Sequence, residues 1–278
     1  MKISILSGKG GTGKTFVSTN LATISNNCTY IDCDIEEPNG HLFFNSDIIK
    51  EKDVTISLPK IDLEKCIGCR KCVDFCKFNA LAFINNKPKV FNTICHSCGG
   101  CKLVCEQNAI IDDNHCIGKV FYSKYNNINI RTGLLNIGEV SGVPIINELL
   151  KDTDKKDDLF IVDCPPGSDC SVMESISDSD YCLIVTEPTL FGLSNFKMVY
   201  ELVDLFKKPF GVIINKFETE HNPMDEYCEK ENIKVVAHIP YNKNIANIVS
   251  NGHIAVKENN ELRNIFKDLL SYILEGGN

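Results

Sequence analysis

Apolar and polar positions divide this chain into short buried runs separated by helix-period segments. The first apolar run, Lys2 to Leu6, leads into a glycine-rich stretch, Ser7 to Gly13, and then an apolar-periodic segment, Lys14 to Ser25. That pattern predicts strand, loop and helix. A second run, Thr29 to Cys33, ends in acidic residues. Further runs at Leu159 to Cys164, Tyr181 to Thr186, Pro209 to Asn215 and Ile233 to Ile239 predict buried strands. Helical spacing separates some of them, near Ser194 to Phe206 and Met224 to Glu231. The alternation predicts an α/β fold with a mostly parallel sheet covered by helices on both faces.

Between about Leu58 and Asp113 the pattern breaks. No amphipathic segment of helix length occurs there, yet the stretch repeats itself. Cys66, Cys69, Cys72, Cys76 and Ala80 map onto Cys95, Cys98, Cys101, Cys105 and Ala109, each displaced by 29 residues. A doubled small unit inserted into an α/β domain is the simplest reading. The expected organisation is therefore 1–57 and 114–278 as two parts of one domain, with 58–113 as the insert.

Composition adds three constraints. Lys+Arg 29 against Asp+Glu 37 gives a net charge of −8, which argues against nucleic-acid binding. Only Arg70, Arg131 and Arg263 are arginines, so a catalytic cation is expected to be lysine. No apolar run approaches a membrane span, and the start MKISILSGKG reads as a strand; a cytoplasmic protein is expected. Fifteen cysteines in such a chain point to metal or redox chemistry and not to a disulfide scaffold.

Gly8-Lys9-Gly10-Gly11-Thr12-Gly13-Lys14-Thr15 fits G-x-x-x-x-G-K-[ST] between a strand and a helix. Its glycines let backbone amides approach phosphate oxygens, and the following helix presents its positive dipole end. Lys14 is expected on the β- and γ-phosphates of ATP or ADP, and Thr15 on Mg²⁺. Lys9 makes the loop K-G-G-T-G-K-T, a deviant Walker A. Here the sequence resembles the MinD/Mrp-type ATPases, whose relatives include the nitrogenase iron protein. The resemblance implies an ATP-hydrolysing homodimer in which Lys9 reaches the partner's nucleotide, as an arginine finger does elsewhere.

It also implies roles for strand-end residues. Asp32 and Asp34 form D-x-D; alternation would set them on one face, Asp32 toward Mg²⁺ and Asp34 toward the hydrolytic water. Phe160 to Gly167, FIVDCPPG, resembles the Walker B and switch segment, with Asp163 on Mg²⁺. Asn215 and Pro240 close two strands that cradle adenine in that family; an ordinary strand-end turn is the competing reading.

Each cysteine half reads C-x2-C-x2-C-x3-C, resembling a bacterial ferredoxin with two 4Fe–4S clusters. In such proteins the fourth cysteine ligates the other cluster. The resemblance implies Cys66, Cys69, Cys72 and Cys105 for one cluster, and Cys95, Cys98, Cys101 and Cys76 for the other. The competing ion is zinc, whose paired knuckles would leave two cysteines over in each half. Lys77 and Glu106 stand where ferredoxins usually carry proline, which bears on local packing and potential. His96 either tunes a cluster or is solvated. The other cysteines, 28, 33, 116, 164, 170, 182 and 228, read mostly as small buried hydrophobes.

Together these motifs resemble MinD-superfamily ATPases with an inserted ferredoxin domain, a small α+β unit. Two further segments, DCDIEEPNGHLFF from Asp32 and GLLNIGEVSGVPIINEL from Gly133, fit as well. The function implied is an accessory ATPase in metal or iron–sulfur cofactor assembly. The alternatives are ATP-driven low-potential electron transfer and a redox-sensing positioning ATPase. An acceptor, apo-metalloenzyme or redox protein, is expected; two oxidised clusters would bring the charge to about −12 and favour a basic docking face on it. Leu262, Ile265, Phe266, Leu269, Leu270, Ile273 and Leu274 recur at helical spacing among mixed charges, which predicts core packing and no stable membrane association.

Overall fold

The computed structural model describes residues 1–153, 158–218 and 222–277. The chain begins β1 (Lys2–Leu6), α1 (Lys14–Ser25), β2 (Cys28–Asp32), α2 (Gly40–Phe44) and β3 (Ile48–Ile61). The cysteine-rich stretch holds α3 (Lys71–Phe75), β4 (Leu81–Ile84), β5 (Lys87–Val90) and α4 (Gly100–Leu103). Then follow β6 (Ile110–Tyr125), β7 (Ile128–Leu135), α5 (Val143–Leu149), β8 (Phe160–Asp163), α6 (Cys170–Ile176), β9 (Tyr181–Thr186) and α7 (Leu190–Leu205). The chain continues through β10 (Phe210–Phe217), α8 (Pro223–Lys230), β11 (Val235–Pro240), α9 (Lys243–Ser250), α10 (Ala255–Glu258) and α11 (Asn260–Leu274).

One nine-stranded sheet runs β11-β10-β9-β1-β8-β2-β7-β6-β3. The strands from β11 to β7 pair in parallel, and β6 and β3 add an antiparallel edge. Side-chain alternation splits the core between the two faces. Ile3, Ile5, Tyr30 and Ile161 pack with α1 and α11 on one side. Leu6, Ile31, Val162 and Ile184 pack with α6, α7 and α8 on the other. Burial on both faces is why these strands read as continuous apolar runs. Leu262, Phe266, Leu269, Leu270 and Ile273 of α11 belong to that core, as their spacing predicts. Among the described residues no helix is long and apolar enough to cross a membrane.

The antiparallel edge is not foreseen in the sequence. Strand β3 is largely exposed and carries Lys50, Glu51, Lys52 and Asp53, so it shows no buried apolar run. Those charges suit an edge strand, because they discourage pairing with another sheet. β3 and β6 form a long ribbon in which Leu58 pairs with Asp113 and Ile61 with Ile110. The expected boundaries at 58 and 113 thus face each other across the ribbon that carries the cysteine segment.

Candidate functional site

The C-terminal ends of the parallel strands gather the predicted nucleotide residues, where open α/β sheets bind ligands. The loop after β1 is held in shape by long-range contacts. Asn215 Nδ2 donates to the Thr12 carbonyl at 2.7 Å, and Lys216 Nζ to the Gly11 carbonyl at 2.9 Å. Gly13 has φ +102°, and a Cβ there would come within 2.3 Å of Asn215 Nδ2. A Cβ on Gly8 would meet the Asn195 carbonyl at 2.2 Å. Glycine is required at Gly13 by conformation and by space, and at Gly8 by space. A cavity of about 640 Å³ opens beside the loop, lined by Gly11, Gly13, Lys14, Thr15 and Asp34 on one wall. Leu42, Phe43, Val249 and Gly252 line another part of it.

Asp32 and Asp163 are register partners on β2 and β8 and are both buried. Asp32 spends its two oxygens on the Asp34 and Gly40 amides, at 3.2 and 2.9 Å. Asp163 Oδ2 accepts from the buried Tyr30 hydroxyl at 3.0 Å. Among the described residues Asp163 Oδ1 is buried without a hydrogen-bond partner. A buried orphan oxygen of this kind suits a cation ligand, so the donor set fits Mg²⁺. Burial, reinforced by the Asp163 charge, pushes Asp32 well above the usual carboxylate range.

The expectation that Asp34 shares a strand face with Asp32 is corrected. β2 ends at Asp32, and Asp34 lies in the loop beyond it. There it faces the cavity, 3.7 Å from Lys14 Nζ. Burial pushes the Asp34 carboxyl up to about 6, against the opposing pull of Lys14. Its folded value lies above its unfolded one, so ionised Asp34 destabilises the fold as pH rises through 6. Asp34→Asn is therefore expected to melt higher than the parent at pH 7.5, the difference vanishing below about pH 4. Thermal melts of Mg²⁺-free protein across that range check this.

Tyr30 and Glu187 carry no motif signal. Tyr30 sits inside an apolar run and reads as core; its partner Asp163 is 133 residues away. Tyr30→Phe would leave Asp163 Oδ2 unpaired in a buried site. The expected cost is about 1–3 kcal/mol of stability, read from denaturant unfolding. Glu187 directly follows the end of β9, and that strand-end position is the one hint available. It holds Lys9 and Lys216, each at 2.5 Å. Lys9, expected to cross to a partner, is thus folded onto its own subunit here. Asn215 and Pro240 do not line the cavity; Asn215 is engaged on the loop instead.

In the cysteine segment the 29-residue repeat is also a repeat of backbone geometry. Left-handed conformations recur at Gly68 and Ser97, Arg70 and Gly99, Asn79 and Asn108. Backbone hydrogen bonds recur too: the Val73 amide donates to the Arg70 carbonyl as Lys102 does to Gly99, and Cys76 to Val73 as Cys105 does to Lys102. Two cavities result. One, about 20 Å³, is lined by Cys66, Cys69, Cys72 and Cys105. The other, about 310 Å³, is lined by Cys95, Cys98, Cys101 and Cys76, with His96 stacked on Phe78 at 4.0 Å. Ile110 lines both. Burial raises the Cys72 and Cys101 thiols; Cys105 and Cys66 add to the first, Cys95 and Cys98 to the second.

Among the described residues no three His, Cys, Asp or Glu side chains converge as a single-ion site requires. A cubane is wider, since each thiolate takes a different iron. The cavity of about 310 Å³ is large enough for a cubane, whereas the one of about 20 Å³ is too small for a cluster as it stands. Of the remaining cysteines, 28, 33, 164, 182 and 228 are buried, as expected, while Cys116 is half-buried and Cys170 exposed.

A glycine-rich loop between a central parallel strand and a helix, ringed by strand-end carboxylates, defines a P-loop nucleotide-binding protein. The chain belongs to the CobQ/CobB/MinD/ParA nucleotide-binding domain family, which residues 3–256 match. An uncharacterised protein of Methanocaldococcus jannaschii, MJ0579, is 31% identical over 99% of this chain and 98% of its own length. The uncharacterised ATP-binding protein MJ0823 of that organism is 27% identical over 88% of this chain and 87% of its own. The septum site-determining protein MinD of Pyrococcus horikoshii OT3, solved with Mg-ADP, superposes with TM-score 0.61 at 20% identity. That superposition covers 99% of this chain and 97% of MinD, and it shows a common fold.

Proposed function

We propose that this protein is a Mg-ATP-hydrolysing homodimer bearing two 4Fe–4S clusters. We take its task to be metal, cluster or electron delivery during metalloenzyme cofactor assembly. The observation that carries this reading is the sorting of eight cysteines into two cavities, each with three from one half and the fourth from the other. A pairing within halves would not cross over. The ATP part rests on family membership and on the loop, Lys14, Asp34 and Asp163.

Bound Mg²⁺ supplies charge neutralisation for the phosphates and the clusters supply one-electron chemistry. In the protein, Thr15 and the free Asp163 oxygen would hold the cation, with Asp32 beside them fixed by the Asp34 and Gly40 amides. Lys14 would neutralise phosphate oxygens and Asp34 would orient a water or take its proton. Asp32 and Asp34 precede α2 and the β3–β6 ribbon, so the nucleotide end of β2 leads directly into the segment that bears the cysteines. That connection is the route by which nucleotide state would act on them.

Within 58–113, eight lysines and arginines stand against six carboxylates. The acidity of the chain therefore lies mostly on its nucleotide-binding part, and a basic partner face would meet that part first. Electron transfer to one partner is the competing reading, favoured by Ile110 lying between both cavities and by exposed Cys69 and Cys98. Anaerobic protein examined by electron paramagnetic resonance with and without Mg-ATP tests the coupling. The expected result is a nucleotide-dependent cluster signal; identical spectra and identical partner binding in ATP, ADP and no nucleotide would refute it. Iron moving to an apo-protein supports delivery, while retained iron with a reduced partner supports electron transfer.

A further inference from the structure

Glu187 stands just past β9, buried to 13% side-chain exposure, and uses both carboxylate oxygens. Oε2 takes the Lys9 ammonium at 2.5 Å and Oε1 takes Lys216 at 2.5 Å. Lys216 also donates to the Gly11 carbonyl at 2.9 Å, so one carboxylate is strutted against the phosphate loop at two points. Lys9 is held on a second side by the Phe191 ring, 5.2 Å from its ammonium. The backbone behind Glu187 has little freedom. Thr189 caps α7 by accepting from the Gly192 amide at 2.9 Å, and a Cβ on Gly192 would lie 2.3 Å from the Glu187 carbonyl. Although burial alone would raise it, Lys216 and Lys9 hold the Glu187 carboxyl below its ordinary value. Glu187 is therefore ionised at neutral pH and cancels positive charge inside a phosphate-binding loop.

We propose that Glu187 is the positioning residue that holds Lys9 on its own subunit, and that Mg-nucleotide must displace it before Lys9 can reach across a pair of copies. This rests on the reading of Lys9 as acting in trans. A triphosphate carries several charges and outcompetes one carboxylate for an ammonium, whereas with no nucleotide the ion pair is the better partner. Lys216 sets the strength of the hold, because it shares the same carboxylate.

The test is sedimentation of the full chain with and without Mg²⁺ and a non-hydrolysable ATP analogue. Glu187→Gln keeps the shape and removes the charge; it is expected to self-associate with the analogue at roughly fivefold lower protein concentration. Lys216→Met leaves Lys9 as the sole claimant on Glu187 and is expected to shift association the opposite way. Glu187→Asp should restore the parent behaviour. A merely structural Glu187 would not give opposite shifts in the two variants. Unchanged association in both overturns the proposal. Lys9→Ala separates the levels: if it associates like the parent, the in-trans reading falls and the latch with it. If Lys9→Ala abolishes association while Glu187→Gln and Lys216→Met leave it unchanged, the latch alone falls.

Discussion

Lys14→Ala is expected to weaken ATP and ADP binding by roughly 10²–10³-fold and to abolish hydrolysis. The Lys14 side chain is only 6% exposed and points at the cavity beside Asp34. An ammonium there has exchanged water for a site in which the Asp34 carboxylate, 3.7 Å away, is its ion-pair partner. Phosphate oxygens restore the hydrogen bonds it gave up, and charge-assisted bonds in a dry site are among the strongest available. Removing Lys14 also removes the cation that opposes burial at Asp34, so the Asp34 carboxyl should rise further above about 6. The fold itself should survive, because the variant deletes a buried charge and not a core contact. Lys14→Arg is not expected to rescue, since a planar fork does not replace a compact charge between glycines. Calorimetric titration with Mg-ADP is the measurement, and parent-like affinity in Lys14→Ala would dismiss the site.

Cysteine variants should divide the iron content in a specific way. The parent protein, purified without oxygen, is expected to hold about eight irons per chain. Cys69→Ala and Cys98→Ala should each hold about four, and the double variant close to none. These two positions are chosen because both are exposed, so the substitution removes a thiolate ligand without opening a core cavity. Cys228→Ala, at a buried position in α8, should keep all of the iron. Iron and sulfide assays with reduced-state electron paramagnetic resonance read the outcome. The crossed assignment adds a sharper expectation: Cys105→Ala should perturb the same signal as Cys69→Ala, and Cys76→Ala the same signal as Cys98→Ala. Pairing by halves would give the opposite grouping.

The legible parts of the site share a property: each is local in sequence. The phosphate loop is one turn between β1 and α1, its requirements met by residues 8 to 15. The cysteine halves are loops of similar size, and their repeat is visible as a spacing. β1, β8 and β9 read clearly because burial on both faces leaves a continuous apolar run. Strands β3 and β6 were illegible for the converse reason. A half-exposed ribbon at a sheet edge alternates with charges, and β3 finds β6 across 49 to 75 residues.

What the sequence alone determined is which chemistry is available: phosphate binding by Lys14 and its glycines, carboxylates at two strand ends, and two sets of four thiols. What only the tertiary structure decided is which of these groups meet. Tyr30 reaches Asp163, Asn215 reaches Thr12 and Glu187 takes Lys9, across 133, 203 and 178 residues. The physical reason is the order β10-β9-β1-β8-β2, which interleaves early and late strands. Side chains at their C-terminal ends become neighbours by sheet position, a quantity that no spacing along the chain records.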